Sequence, residues 1–195
     1  MHEALRRNLF VVREHVGFFR AANNFDILDP ETGEVILLCR EEQLGWFTKL
    51  LRFTDYKRYT PFNIEVQTPA GERILQVTRG VAILRSRVTV RNAQGEILGG
   101  FQQKLLSIGG KFDVLDPDDI AVCTLQGKWT GWDFRFLSGD QELAHVTKKW
   151  AGLGQELFTS ADNYVISISE SVPPQAPVRE LILAAVLCID MVLKE

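Results

Sequence analysis

At 195 residues, with 46% hydrophobic and 24% charged content, the chain is sized for one large domain or two small ones, and one is expected. The net charge of -3 argues against a general nucleic-acid binder. Cys39, Cys123 and Cys188 are odd in number, far apart and set among aliphatic residues, which excludes a disulfide frame or zinc site and predicts buried thiols in a reducing compartment.

The basic pair Arg6-Arg7 is followed by no long apolar run, so no signal peptide is read and a cytoplasmic protein is expected. A strand is predicted over Leu9 to His15, followed by the aromatic pair Phe18-Phe19. Then a unit recurs: an apolar segment, a turn rich in Asp, Pro, Asn and Gly, an acidic residue, and a second apolar segment. Phe25 to Leu28 turns through 29–34 into Val35 to Leu38, and Phe62 to Val66 turns through 68–72 into Ile74 to Val77. Arg87 to Val90 leads through 92–96 into Ile97-Leu98, and Lys111 to Leu115 leads through 116–119 into Ile120 to Leu125. Trp132 to Leu137 turns at 138–140 into Glu142 to Thr147. Gly supplies positive φ, Pro presets φ and Asp or Asn bonds the local backbone, so five hairpins are predicted.

Between the first two hairpins, the connection 41–61 is too long for an idle loop. A helix over Leu44 to Phe53 would carry Leu44, Trp46, Phe47, Leu50, Leu51 and Phe53 on one broad face and Thr48, Lys49 and Arg52 on a narrower one, with Lys57 and Arg58 following. An aromatic face with a basic border suits a membrane surface, where rings bury at headgroup level and cations meet phosphate. The alternative is a helix that caps one end of the fold with its apolar face in the core.

Tyr164, Ile166 and Ile168 alternate with Val165, Ser167 and Ser169 in a last strand, which brings the total to about twelve, all antiparallel neighbours by connectivity. Pro173, Pro174 and Pro177 lead into a helix over 178–193 that is apolar on every face from Leu181 to Leu193 except at Asp190. Its apolar length of about 20 Å falls short of a ~30 Å hydrocarbon core, so it needs a wrapper of protein. A barrel of about eight strands is filled by its own side chains, whereas about twelve leave room for one helix. Asp190 reads either as a carboxylate bonded to backbone or solvent or as a buried proton or cation site. Trp129, Trp132 and Trp150 read as packing against the barrel, ahead of ligand stacking. No nucleophile elbow, phosphate loop or carboxylate constellation is present, and His2, His15 and His145 lack metal-like spacing, so no enzyme is expected.

Gly45-Trp46-Phe47, the run 109–114, Gly127-Lys128-Trp129, the run 160–164 and the closing Leu187-Cys188-Ile189-Asp190-Met191 resemble bacterial relatives of phospholipid scramblases and plant LURP-one-related proteins. The resemblance covers nearly the whole chain and implies a tubby-like fold: a twelve-stranded closed barrel around a central C-terminal helix. Of the features associated with eukaryotic scramblases, the Pro-rich tail is missing and only Cys39 lies near the position of the palmitoylated cluster. Their calcium segment would begin near Asp162, but the residues that follow offer few oxygen ligands, so no cofactor is expected and Asp162 is a weak calcium candidate. Tubby domains, which the fold resembles, bind phosphoinositide headgroups through basic residues on the barrel wall. Here Arg85, Arg87 and Arg91 would share a face, within a group that includes Arg79, Lys104, Lys111, Lys128, Lys148 and Lys149.

The first functional expectation is therefore a non-catalytic phospholipid-binding module, peripheral on the inner face of the membrane. Lys49, Arg52, Lys57 and Arg58 would meet anionic headgroups, and Trp46, Phe47 and Leu50 would insert shallowly. A soluble module that binds a protein partner is the alternative, and genuine lipid translocation a second, disfavoured by the short apolar run.

Overall fold

The structure, a computed structural model, describes residues 1–15, 24–41, 60–81, 87–103, 111–128, 132–148 and 163–193, with the side chains of 190–193 left aside. A 3-10 turn, Glu3–Arg6, precedes β1 Leu9–Glu14, β2 Phe25–Leu28, β3 Val35–Glu41, β4 Phe62–Gln67, β5 Arg73–Arg79 and β6 Arg87–Asn92. Then come β7 Ile97–Gln103, β8 Phe112–Leu115, β9 Ala121–Lys128, β10 Asp133–Ser138, β11 Gln141–Thr147, β12 Asn163–Ile168 and the helix α1, Val178–Leu193. Every strand pairs antiparallel with its neighbours in sequence, and β1 closes on β12 from Leu9↔Ser167 to Arg13↔Asn163. The result is the closed twelve-stranded barrel around a C-terminal helix that the sequence led us to expect.

Period-two alternation builds the wall. In β4, Phe62, Ile64 and Val66 are buried inside while Asn63, Glu65 and Gln67 are half-exposed outside. Three turns use one device: Asp29, Asn92 and Asp116 each accept two backbone N–H groups on Oδ1, which fixes the reversal. Gly33 and Gly95 then take the positive φ that those turns require, at 71° and 84°.

Inside the barrel, every residue of α1 from Leu181 to Ile189 is at most 3% exposed, Leu183, Val186 and Leu187 included. Closing the sheet removes the exposed edges, and the helix fills the space that the inward side chains leave. Cys39, Cys123 and Cys188 are free and buried, as predicted, and burial pushes the Cys123 thiol up to about 12.

The two ends of the barrel differ. Arg179 in the first turn of α1 donates to the carbonyls of Leu5, Arg6 and Arg7, so the helix starts at the end where β1 begins. Since every following strand reverses direction, all five hairpin turns and the 169–177 connection lie at that end. The connections 15–24, 42–61, 80–86, 104–111, 129–132 and 148–162 join strands at the opposite rim, toward which α1 points its C-terminus.

Candidate functional site

Charge is distributed unevenly between the two sets of connections along the sequence. The six connections at the turn end contain ten Asp and Glu residues and no Lys or Arg; the six at the rim contain ten Lys and Arg residues and four Asp and Glu. The expected headgroup residues Lys49, Arg52, Lys57 and Arg58 and the expected membrane contacts Trp46, Phe47 and Leu50 lie outside the described residues. So do Arg85, Asp162, Lys104, Lys149, Trp129 and Trp150, and the Asp190 side chain is likewise not described. What the structure does place are the anchors of the long connection, Glu41 at the end of β3 and Thr60 just before β4, both at the rim.

Beside them sits a cluster that sequence reasoning did not single out. Asp26 points outward from β2 between the inward Phe25 and Ile27, yet it is only 5% exposed. Its Oδ1 accepts from Arg40 at 2.6 Å, and its Oδ2 accepts from Arg13 at 3.1 Å and lies 2.8 Å from Nε2 of His15. Burial works to raise the Asp26 pKa, but the hydrogen bonds from Arg40, then Arg13 and His15, outweigh it and hold the carboxyl below its usual range. Arg40 is locked further by donating to the Phe25 and Cys39 carbonyls at 2.7 and 3.1 Å. Two guanidinium groups share one carboxylate, so the cluster keeps a net positive charge, and the Arg13 and Arg40 side chains remain 43% and 36% exposed. The sequence held one signal for it, a carboxylate inside an otherwise apolar four-residue strand.

Among the other expected basic residues, Arg87 and Arg91 do share the outer face of β6, on either side of Thr89. They do not converge: Arg87 pairs with Asp119, whereas Arg91 donates to the Gly95 carbonyl at 2.9 Å. Arg79 corrects the expectation of a wall residue. Alternation in β5 turns it inward with Leu75 and Val77, where it is buried, donates to the Thr60 carbonyl at 2.6 Å and lies 4.8 Å above the Phe62 ring. Trp132 is a packing residue: it stacks on Tyr164 at 5.3 Å, meets Phe134 edge-on at 6.1 Å and carries the Lys148 ammonium 4.1 Å over its ring. Among the described residues no group of three His, Cys, Asp or Glu is placed to hold a metal ion. No helix among them is long and apolar enough to cross a membrane.

A closed twelve-stranded barrel filled by its own C-terminal helix is the tubby-like architecture. A family model described as Scramblase matches residues 8–195, and the chain belongs to that family. Among solved structures, the X-ray structure of a protein from Arabidopsis thaliana is similar at a TM-score of 0.55 and 16% identity, over 95% of this chain and 92% of that one. At that identity the likeness shows the fold alone. No curated protein matches the sequence.

Proposed function

We propose that the chain is a non-catalytic phospholipid-binding module that rests on an anionic membrane surface, on its inner, cytoplasmic face, by the rim of the barrel. The observation that carries this reading is the segregation of charge: ten acidic and no basic residues in the turn-end connections, ten basic and four acidic in those of the rim. Near an anionic leaflet each Lys or Arg is worth about 1 kcal/mol, while the acidic end is repelled, so the field both attracts the barrel and orients it rim-first. The family's name points to lipid as the ligand class, and the guanidinium groups of Arg13 and Arg40 lie near where the long connection leaves the wall. Lys49, Arg52, Lys57 and Arg58 are the proposed headgroup contacts and Trp46, Phe47 and Leu50 the proposed inserting side chains, with Arg85, Arg87 and Arg91 a secondary basic face. No cofactor is needed for such peripheral binding.

Flotation with neutral and with phosphatidylserine-containing liposomes tests the proposal. Wild type should float with the anionic vesicles alone. A variant with Lys49, Arg52, Lys57 and Arg58 changed to Glu should stay at the bottom, and one with Asp116, Asp118 and Asp119 changed to Asn should float as wild type does. Equal recovery of wild type and the Lys49, Arg52, Lys57, Arg58 variant would overturn the assignment.

A further inference from the structure

Arg87 and Arg91 do not converge, but Arg13 and Arg40 do. From β1 and β3 they flank Asp26 on β2 at the rim-side end of the wall, each bonded to a different oxygen of that one carboxylate, so the two guanidinium groups are held about a carboxylate's width apart. Asp26 does not exhaust them. Arg40 commits Nη1 to the Phe25 and Cys39 carbonyls and one Nη2 hydrogen to Asp26, which leaves its Nε–H and the other Nη2 hydrogen. Arg13 donates through Nη2 alone, so its Nε–H and Nη1 hydrogens are left as well, and neither side chain has a further partner among the described residues. Because Asp26 is buried while both arginines are half-exposed, the uncommitted donors are the ones that face solvent.

Neighbouring carboxylates do not cancel the pair. Glu65, opposite Arg40 on β4, faces Arg73 at 2.5 Å, and Glu14 and Glu41 fall on the inward alternation, opposite the core residues Phe25 and Ile64. Two guanidinium groups fixed side by side with a residual positive charge select the ligand. A carboxylate offers two coplanar oxygens, which a single guanidinium satisfies by itself, and a phosphate diester likewise has only two free oxygens. A phosphate monoester has three, spread tetrahedrally, so it can accept from both guanidinium groups at once while its ester bond points away. We propose that Arg13 and Arg40 form a site for a phosphate monoester, carried either by a small soluble molecule or by the headgroup of a lipid such as phosphatidic acid. The lipid form of the proposal rests on the membrane reading above; the soluble form does not.

Calorimetric titration of the whole chain with glycerol phosphate at neutral pH and low salt tests the soluble form, and flotation with phosphatidic-acid against phosphatidylserine vesicles of matched surface charge tests the lipid form. Saturable binding of glycerol phosphate supports a soluble ligand; preferential flotation with phosphatidic acid, when the soluble ester does not bind, supports the lipid headgroup. Arg13→Gln removes a half-exposed side chain that makes one bond, and should weaken soluble binding by about tenfold or more or erase the vesicle preference. Arg13→Lys keeps the charge but loses the fork, should weaken binding severalfold, and serves as the second variant if Arg13→Gln fails to fold. Arg135→Gln removes an exposed arginine from β10 and should leave either readout unchanged. Where wild type binds glycerol phosphate, the Lys49, Arg52, Lys57, Arg58 variant should bind it too, so this proposal and the membrane reading fail separately. Absence of both soluble binding and a phosphatidic-acid preference, or equal weakening by Arg13→Gln and Arg135→Gln, would overturn it.

Discussion

Asp26 shows how a single side chain can organise a surface that local sequence leaves unmarked. Its partners Arg13, His15 and Arg40 lie on other segments, and only the antiparallel register brings them within reach of one carboxylate. We predict that Asp26→Asn lowers stability at neutral pH by about 1–3 kcal/mol, the lower part of the range applying if solvent screens the half-exposed guanidinium groups. The folded carboxyl titrates below its unfolded value of about 3.9, so its stabilising contribution is complete above that value and is lost as pH falls through the folded one. Chemical denaturation across the acid range should thus show a shallower acid decline in Asp26→Asn; parallel curves for the two proteins would contradict it. Gly127 is a second residue whose identity is forced. A Cβ there would stand 2.1 Å from the Asp133 carbonyl oxygen and 2.6 Å from the Phe134 ring, so Gly127→Ala should cost about 1–3 kcal/mol, read as a lower urea midpoint.

Among the elements, α1 is held less by its own propensity than by what surrounds it. Arg179 is 1% exposed and donates to the Leu5, Arg6, Arg7 and Val172 carbonyls and to the Asn8 side chain, tying the helix start to the chain's first turn and to the segment after β12. Arg179→Met keeps much of the volume but strands those buried acceptors, and we expect a loss on the order of 3 kcal/mol in equilibrium unfolding. A neutral result would mean that water replaces the guanidinium. For the neighbouring Glu180, burial raises the folded pKa above the unfolded one, so the native state binds the proton more tightly. Its ionisation destabilises the fold above the folded pKa, and the penalty disappears as pH falls toward the unfolded value of about 4.3. Glu180→Gln should therefore be the more stable protein at neutral pH, with the difference shrinking on acidification. A difference that grows instead would contradict the burial of this carboxylate.

At the scale of the whole molecule, the proposed rim-first electrostatic docking has one measurable consequence. Raising ionic strength from about 0.1 to 1 M shortens the Debye length from about 10 to about 3 Å, so flotation with anionic vesicles should fall steeply over that range. Salt-independent flotation would mean that apolar insertion carries binding by itself. Each antiparallel reversal returns the chain to the same two ends, so tight acidic turns and long connections richer in Lys and Arg leave the strands at opposite ends.

The strands, the five hairpins and the central helix were legible in the sequence because each rests on a local cause. Period-two alternation marks the strands, turn residues mark the reversals, and an apolar stretch too short to span a bilayer marks the helix. Arg79 was not, since a charged residue at a strand end reads as solvent-facing until Thr60 and Phe62 are seen to receive it inside. Neither was the convergence of Arg13, His15 and Arg40 on Asp26, nor the burial of Glu180 beside a cavity lined by β5, β6, β7 and the chain's first two residues. Local chemistry along the chain determined what the elements are. Which groups meet depended on closing the sheet, because register and curvature juxtapose residues that no spacing in the sequence relates.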